Sequence, residues 1–234
     1  MPSYFEIVNI LTYYKYVSFF YNFLNNSQYI IIVLRIKSYS CTYTFCGRYS
    51  IALLSVAEDS VITLQKILTT SFYCVSISPL GTDMFVVSTR YNKPPVRTID
   101  VHGNEGEVEH KLLPDKTYIS WTSACAYIPS TKTLVFADAD QHTVYMCDLT
   151  SGDGRVIKND KIRGPRGVCA GPAGTVFVCS VNADSVVQLS QQGDVLASHS
   201  VDVRYPFAVS VSKDRLVLSN SSKGQKMIKL FNIV

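Results

Sequence analysis

Four short strand-like segments follow one another between residues 162 and 196, and this pattern constrains the fold more than any other feature of the chain. The turn Gly171–Gly174 separates the first two segments, Asn182–Ser185 follows the second segment (Thr175–Cys179), and Gln192–Asp194 follows the third. Four such segments in so short a span predict one up-and-down antiparallel sheet. A single sheet of this size cannot bury both of its faces, so it must stack on similar sheets.

Three further units repeat this order of strands and turns. When the units are aligned on their first turns, the repeat is about 41 to 50 residues, the period typical of propeller blades. Their second strands are predicted at Met84–Ser88, Thr133–Ala137 and Arg215–Ser219. Two earlier strands, Ile51–Val56 and Val61–Ile67, can join through a hairpin turn. The sequence therefore predicts an all-β fold, a propeller of about four to five blades, each a four-stranded antiparallel sheet.

Residues 1–46 differ from the rest of the chain because they are rich in Tyr, Phe, Ile and Asn and contain no glycine. They lack the pattern of a signal peptide, and polar residues interrupt every window of about 20 residues that could span a membrane. Tyr29–Ile36 favours a strand and Glu6–Leu24 a partly amphipathic helix. We predict an N-terminal segment of unknown structure at 1–46, for which an incorrect gene model is the alternative interpretation, and a propeller at 47–234.

Several short motifs resemble the NHL repeat. In the unit that begins at residue 162 these are Pro165–Val168, the turn Gly171–Gly174 and the strand Val176–Val178. The preceding unit supplies Val135–Asp138, which resembles the apolar–apolar–Ala–Asp strand end of that family. The sequence departs from the family at Cys179–Ser180, which replaces Ala–Asp, and the turns after the second strands lack the usual Asn–x–Arg.

Residues 47–234 as a whole resemble the C-terminal domain of tripartite-motif (TRIM-type) proteins. The resemblance implies a partner- or substrate-recognition module of the ubiquitin pathway, a scaffold with no catalysis of its own. That domain is usually six-bladed, so we expect residues 47–234 to be an incomplete propeller, a fragment without RING, B-box or coiled coil. An incomplete ring would expose strand edges, which favours self-association.

Basic and aromatic residues recur where one unit leads into the next. In a propeller these linkers converge on one face of the disc, where we expect a protein partner to bind. Arginine beside aromatic rings also suits single-stranded RNA, and some TRIM-type propellers bind RNA, so RNA is the alternative ligand. The candidate partner-binding residues are Arg163, Arg166, Arg204, Tyr205, Trp121 and Tyr73.

Polar residues occupy matching turns after two of the second strands, at Asp138, Asp140, Asn182 and Asp184. Oxygen ligands of this kind suit Ca²⁺, so a calcium-dependent lactonase or esterase propeller is a second alternative. Asp and Asn are also favoured in turns because their side chains bond the nearby backbone, and we prefer this interpretation. We therefore expect no enzymatic activity, no metal and no cofactor.

The seven cysteines and the modest charge bear on location and partners. The cysteine count is odd, the spacing is irregular, and five of the seven lie in apolar strand segments. Such cysteines are typical of buried, reduced side chains, so we predict a cytoplasmic protein. The formal net charge of +4 is too small to indicate nucleic-acid binding by itself. No membrane association is expected.

Overall fold

The computed structural model describes residues 19–22, 29–37, 40–47, 49–56, 62–114, 124–212, 215–220 and 227–233. These residues form five antiparallel sheets, numbered here in chain order, with two three-residue 3₁₀ turns as their only helical segments. Within the described ranges, no helix is long and apolar enough to cross a membrane.

The strands are numbered along the chain. Sheet 1 contains β1 Phe19–Asn22, β2 Tyr29–Lys37, β3 Ser40–Gly47, β4 Ser50–Val56 and β5 Ile62–Thr69. Sheet 2 contains β6 Tyr73–Pro79, β7 Met84–Arg90, β8 Val96–Asp100 and β9 Glu105–Glu107. Sheet 3 contains β10 Cys125–Ile128, β11 Thr133–Asp138, β12 Thr143–Asp148 and β13 Gly154–Lys158. Sheet 4 contains β14 Pro165–Ala170, β15 Val176–Ser180, β16 Ser185–Leu189 and β17 Val195–Ser200. Sheet 5 contains β18 Pro206–Ser212, β19 Arg215–Asn220 and β20 Ile228–Asn232.

Every sheet is a meander in which the strands lie in chain order. The predicted second strands are confirmed as β7, β11, β15 and β19, with only small shifts at their ends. The strand predicted at Tyr29–Ile36 is confirmed as β2, and β2 and β3 pair into one sheet with β4 and β5. The helix predicted at Glu6–Leu24 is wrong at Phe19–Asn22, which is β1, and the rest of it lies outside the described residues. The domain boundary after residue 46 stays a prediction.

The second strand of a sheet is buried on both faces, and β11 shows why. Leu134 and Phe136 pack into an apolar cluster with side chains of sheet 2, whereas Val135 and Ala137 pack into another with side chains of sheet 4. Alternate residues of a strand point to opposite faces, so sheet 3 is covered on both sides. Full burial of each Leu, Val or Phe side chain stabilises the fold by about 1.5–3 kcal/mol.

The first strands of neighbouring sheets lie side by side near the middle of the molecule. The hydroxyl of Ser76 in β6 accepts a hydrogen bond of 2.8 Å from the backbone N–H of Cys125 in β10. Gly167 in β14 lies so close to β18 that a Cβ atom there would sit 2.6 Å from the Phe207 carbonyl oxygen. Small side chains therefore let the first strands converge, and the sheets radiate from them as the blades of a propeller.

The number of blades differs from the six that are usual in the family that the motifs resemble. Sheets 1 to 4 each contain at least four strands, and sheet 5 contains three. The expectation of about four to five blades is confirmed, whereas the six-bladed form is not seen in the part of the chain that the structure describes. Strand β1 lies next to β18, so sheet 1 is a neighbour of sheet 5.

The cysteines of sheets 2 to 4 are part of the packed interior. Cys74, Cys125, Cys147 and Cys179 are buried, Cys169 is half-buried, and none of these five forms a disulfide. Burial raises the pKa of the Cys125 thiol to about 11 and that of the Cys147 thiol to about 12. These thiols therefore act as small apolar side chains, as predicted. A cytoplasmic location stays a prediction.

Candidate partner-binding face

The candidate site lies on one face of the propeller, here called the upper face. In sheets 2 to 5 the first and third strands begin, and the second strand ends, at the same edge, as the register Tyr73–Arg90 and Ser88–Val96 shows for sheet 2. The turn after the second strand of sheet 3 accepts a hydrogen bond from the start of sheet 4, and the corresponding turn of sheet 4 accepts one from the start of sheet 5. The upper edges of these sheets therefore lie on the same side of the ring. The turns after the first and third strands form the opposite, lower face.

The linker that carries Arg163 is held from below by sheet 4. The buried hydroxyl of Ser180 accepts a hydrogen bond of 2.8 Å from the backbone N–H of Arg163 and donates one of 2.8 Å to the carbonyl of Lys161. The backbone N–H of Gly164 donates to Nδ1 of His142, at 2.7 Å, in the turn of sheet 3. The Arg163 side chain is exposed, and its Nε–H donates to the Asp160 carbonyl at 3.0 Å. This linker is thus a fixed platform that presents an exposed cation.

Arg166 is stacked on an aromatic ring at the junction of sheets 4 and 5. Its guanidinium carbon lies 5.3 Å from the centre of the Phe207 ring, within the range of a cation–π contact. Arg166 is half-buried, and burial lowers the pKa of its guanidinium, whereas the Asp140 carboxylate opposes that shift. An arginine pKa starts so high that the side chain stays charged. Arg166 is therefore a fixed positive charge that is partly shielded from solvent.

Arg204 and Tyr205 precede the first strand of sheet 5, and both side chains are exposed. The backbone N–H of Tyr205 donates to Oδ1 of Asp184, at 2.7 Å, in the turn of sheet 4. Tyr205 has a φ of 55°, a backbone conformation that is uncommon for residues other than glycine. The bond to Asp184 fixes this turn, so that the Tyr205 ring projects from the surface with half of its area exposed.

Tyr73 lies in a second cluster, at the junction of sheets 1 and 2, which we call the tyrosine cluster: Tyr49, Tyr73, Tyr91 and Arg90. Tyr73 packs edge-to-face against Tyr49 at 5.6 Å and against Tyr91 at 5.9 Å. The guanidinium of Arg90 lies 4.3 Å from the centre of the Tyr91 ring. Tyr73 is only 5% exposed and supports the cluster from below, whereas Tyr49 and Tyr91 are about half exposed.

Sequence reasoning identified Tyr73 and missed its three neighbours. The missed signal is an Arg–Tyr dipeptide, which occurs at Arg48–Tyr49, Arg90–Tyr91 and Arg204–Tyr205. Tyr91 follows the second strand of sheet 2 and Tyr205 precedes the first strand of sheet 5, whereas Tyr49 precedes β4 and joins the upper face through its contact with Tyr73. Phe207, the aromatic partner of Arg166, was missed because only the fold brings sheets 4 and 5 together. The predicted site residue Trp121 lies outside the described residues.

The side chains of two of the polar turn residues, Asp138 and Asp184, bond the backbone, as predicted. Oδ1 of the buried Asp138 accepts hydrogen bonds of 3.1 Å from the backbone N–H groups of Asp140 and Gln141, and Asp184 caps the start of sheet 5. Among the residues that the structure describes, no group of three or more His, Cys, Asp or Glu side chains lies close enough together to hold a metal ion. Backbone capping therefore accounts for the carboxylates of Asp138 and Asp184.

The upper face is basic but not uniformly so. Its described cations are interleaved with the carboxylates of Asp140, Asp160 and Asp184. Beside the tyrosine cluster, the Glu105 carboxylate accepts a hydrogen bond from the backbone N–H of Ser71, and Glu107 pairs with Arg97 at 3.1 Å. The described cations of this face include Arg90, Lys93, Lys158, Lys161, Arg163, Arg166 and Arg204.

Comparison with solved structures identifies the same architecture in proteins of very different sequence. The chain is similar to virginiamycin B lyase from Staphylococcus aureus, with 17% identity over 91% of this chain and 73% of that chain and a TM-score of 0.56. It is also similar to a chain of the nidogen–laminin complex, with 14% identity over 82% of this chain and 73% of that chain and a TM-score of 0.64. The WD40 propeller domain of Doa1 gives 10% identity over 82% of this chain and 61% of that chain, with a TM-score of 0.56.

The fold is a β-propeller. No family model matches the sequence, and a search of curated proteins finds no match either. The similar structures include an enzyme, a chain from a protein–protein complex and a WD40 domain, so at these identities they establish the fold alone. The function of the chain has to be argued from its own surface.

Proposed function

We propose that the chain is a protein-recognition module that binds its partner through the upper face. The observation that carries the proposal is the pairing of arginine with aromatic rings at two junctions of that face, Arg166 with Phe207 and Arg90 with Tyr73 and Tyr91. Together with Trp, Arg and Tyr are the residue types most enriched at the energetic centres of protein interfaces.

The rigidity of the upper face supports the proposal. Ser180, His142 and Asp184 each hold the backbone of a linker that presents an exposed Arg or Tyr side chain. A surface that is already ordered before binding loses little conformational entropy when a partner docks. The exposed residues of the upper face are therefore held in fixed positions before a partner binds, as is typical of a binding site.

We further propose that the partner is a protein substrate or scaffold partner of a TRIM-like protein. The support for this narrower role is the resemblance of Pro165–Val168 and Val135–Asp138 to NHL repeats. In the structure Pro165–Val168 begins β14, and Asp138 ends β11 and caps the turn that follows. These segments lie at the upper edges of sheets 3 and 4, beside the proposed site.

Single-stranded RNA is the second candidate ligand, because Arg166 on Phe207 and the half-exposed rings of Tyr49, Tyr91 and Tyr205 offer stacking surfaces. RNA affinity depends mainly on neutralising phosphates, which needs a continuous basic track. Asp140, Asp160 and Asp184 interrupt the cations of the upper face. The mixed charge favours a protein partner, so RNA stays the alternative.

An enzymatic role has less support from the residues. Asp138 and Asp184, two of the turn carboxylates that could form a calcium-dependent hydrolase site, accept hydrogen bonds from backbone N–H groups. We therefore propose a binding protein without catalysis of its own.

A capture experiment with charge-reversed variants tests the proposal. Arg163→Glu/Arg204→Glu reverses two exposed cations of the upper face, and we leave Arg166 unchanged because its half-buried stack on Phe207 also stabilises the fold. We expect proteins captured by the wild-type chain, identified by mass spectrometry after RNase treatment, to be reduced at least tenfold with this variant. Circular dichroism and the urea midpoint should stay unchanged.

Lys111→Glu/Lys132→Glu is the matched control, because it makes the same change of charge at two exposed positions of the lower face. Capture should stay at the wild-type level with this control. Equal loss with both variants would indicate nonspecific attraction to a basic protein, and no loss with the first variant would refute the choice of face. Capture that disappears on RNase treatment would favour the RNA alternative.

A further inference from the structure

We propose that His142 is a pH-dependent positioning residue of the upper face: its neutral imidazole ring holds the linker that presents Arg163, and protonation of the ring releases that linker and weakens partner binding. This inference rests on the proposed function and adds a regulation of the same site by acidification. Its basis is the geometry of one hydrogen bond between the turn of sheet 3 and the linker that leads into sheet 4.

The hydrogen bond between Gly164 and His142 defines the protonation state of the ring. The backbone N–H of Gly164 donates to Nδ1 of His142 at 2.7 Å. A backbone N–H can only donate, so Nδ1 has to supply a lone pair, and the neutral ring carries its proton on Nε2. In the imidazolium form both ring nitrogens are donors. Protonation therefore sets two N–H groups against each other and breaks the bond.

The two ends of this bond differ in their access to solvent. His142 is exposed, so a proton from solvent can reach the ring, whereas Gly164 is buried. A buried N–H that loses its acceptor is not readily paired with water, and leaving it unpaired is unfavourable. The linker therefore has to move when the ring is protonated.

Protonation would detach the linker on one side only. On the side of sheet 4, the backbone N–H of Val181 donates to the Gly164 carbonyl at 3.3 Å. The backbone N–H of Asn182 donates to the Arg163 carbonyl at 3.0 Å. On the side of sheet 3, the bond from Gly164 to His142 is, in the described part of the chain, the hydrogen bond that ties the linker to the turn after β11. We therefore expect acid to change the position of Arg163 while the sheets stay folded.

Charged side chains of both signs lie on the elements around His142. A carboxylate near an imidazole favours its protonated form, and a cation disfavours it. Histidine ordinarily gains its proton between about pH 5 and 8, so mild acidification covers the transition. The carboxylates are Asp138 and Asp140 of the same turn, Asp160 of the linker and Asp184 of the turn of sheet 4, and the cations are Lys158 of β13, Lys161 and Arg163 of the linker and Arg166 of β14.

His110 has a related arrangement beside the lower face. Its Nδ1 accepts the backbone N–H of Leu112 at 3.2 Å, and its Nε2 lies 3.0 Å from the Asp153 carbonyl oxygen. The Nδ1 bond again requires a neutral ring, which donates its Nε2 proton to that carbonyl. Acid therefore acts at the lower face as well, and a test of His142 needs a readout at Gly164 itself.

Hydrogen exchange of the Gly164 amide, followed by NMR, is that readout. His142→Asn is the decisive variant, because asparagine tolerates the φ of 52° at this position and its Oδ1 accepts an N–H at any pH in this range. In the wild-type chain we expect the protection factor of Gly164 to fall at least tenfold between pH 7.5 and pH 5.5. In His142→Asn it should change less than twofold. His199→Asn, the same change at an exposed histidine of β17, should behave as the wild type.

Capture connects this local change to binding. Proteins captured by the wild-type chain at pH 7.5 should be reduced at least fivefold by a wash at pH 5.5, and those on His199→Asn should be reduced equally. The His142→Asn chain should keep most of what it captured at pH 7.5. A partner that itself titrates leaves all three chains alike, so the difference between the variants is the measurement.

The contrary outcomes are distinguishable. A Gly164 amide that stays protected at pH 5.5, or loses protection equally in His142→Asn, would refute the switch and leave the proposed function standing. Loss of protection in the wild type with equal release from all chains would refute the regulation of binding. Loss of the circular dichroism signal at pH 5.5 would show unfolding instead of local release. The proposed function itself fails only if Arg163→Glu/Arg204→Glu captures as the wild type does at pH 7.5.

Discussion

Oδ1 of Asp184 accepts a hydrogen bond of 2.7 Å from the backbone N–H of Tyr205. Asp184 belongs to the turn after the second strand of sheet 4, and Tyr205 immediately precedes the first strand of sheet 5. The carboxylate therefore joins two sheets and at the same time orients an exposed aromatic ring on the upper face. Stability and the shape of the proposed binding site are linked through this one contact.

Replacing Asp184 by alanine should affect both properties. Loss of the hydrogen bond is expected to lower the free energy of unfolding by about 1 kcal/mol. It should also weaken partner capture, because the Tyr205 turn is no longer fixed. Asp184→Asn keeps an oxygen acceptor and should behave nearly as the wild type. Urea titration and capture of the same partner are the measurements, and equal behaviour of the Ala and Asn variants would contradict this role.

Gly167→Ala should destabilise the junction of sheets 4 and 5. The added Cβ would lie 2.6 Å from the Phe207 carbonyl oxygen and 2.7 Å from the Ala208 Cα, and backbone atoms cannot move aside cheaply. We expect a loss of about 1–3 kcal/mol in the free energy of unfolding. Gly81→Ala is the control, because a Cβ at that turn position meets nothing within 4 Å. A Gly167→Ala protein as stable as the control would show that the two first strands are farther apart.

Ser180→Ala should loosen the linker that presents Arg163. It removes the acceptor for the Arg163 N–H and the donor to the Lys161 carbonyl. The Arg163 N–H is then left without an acceptor, which should lower the free energy of unfolding by about 1–3 kcal/mol. Hydrogen exchange at residues 161–164 should become faster. Ser185→Ala is a close control, because the Ser185 hydroxyl is buried and makes no hydrogen bond among the described residues. Unchanged exchange in Ser180→Ala would argue against a fixed linker.

The buried thiols predict a fall in stability at alkaline pH. Burial raises the pKa of the Cys125 thiol to about 11 and that of Cys147 to about 12, whereas a thiol in the unfolded chain has a pKa of about 8.5. Above about pH 8.5 the thiols of the unfolded chain lose protons that the thiols of the folded chain keep. The free energy of unfolding therefore falls as the pH rises above this value.

Urea midpoints measured from pH 8 to pH 10 test this expectation. The decline in the midpoint should be smaller in Cys147→Ala than in the wild type, because one of the responsible thiols is absent. Alkylation of Cys125 and Cys147 by iodoacetamide at pH 8.5 should also be slow until urea unfolds the chain. Rapid labelling of the folded protein would show that these strands open readily.

Local chemistry explains which parts of the structure could be predicted from the sequence. The strands Thr133–Asp138 and Val176–Ser180 lie between turn residues and are apolar in their interiors, so their limits could be predicted to within one residue. The stacking of Arg166 on Phe207 depends on how two sheets meet, and no local pattern encodes that distance. Tyr73 could be selected because it is an aromatic residue where one unit leads into the next, but only the structure shows that it is buried and supports Tyr49 and Tyr91.

The most direct test of the account places a photoreactive amino acid, p-benzoylphenylalanine, at single positions of the chain. Tyr91 and Tyr205 mark the upper face, and Met84, which is 43% exposed at the lower edge of β7, marks the other. After irradiation with the captured partner, we predict covalent adducts from positions 91 and 205 and none from position 84. Adducts from position 84 alone, or equal yields at all three positions, would contradict recognition through the upper face.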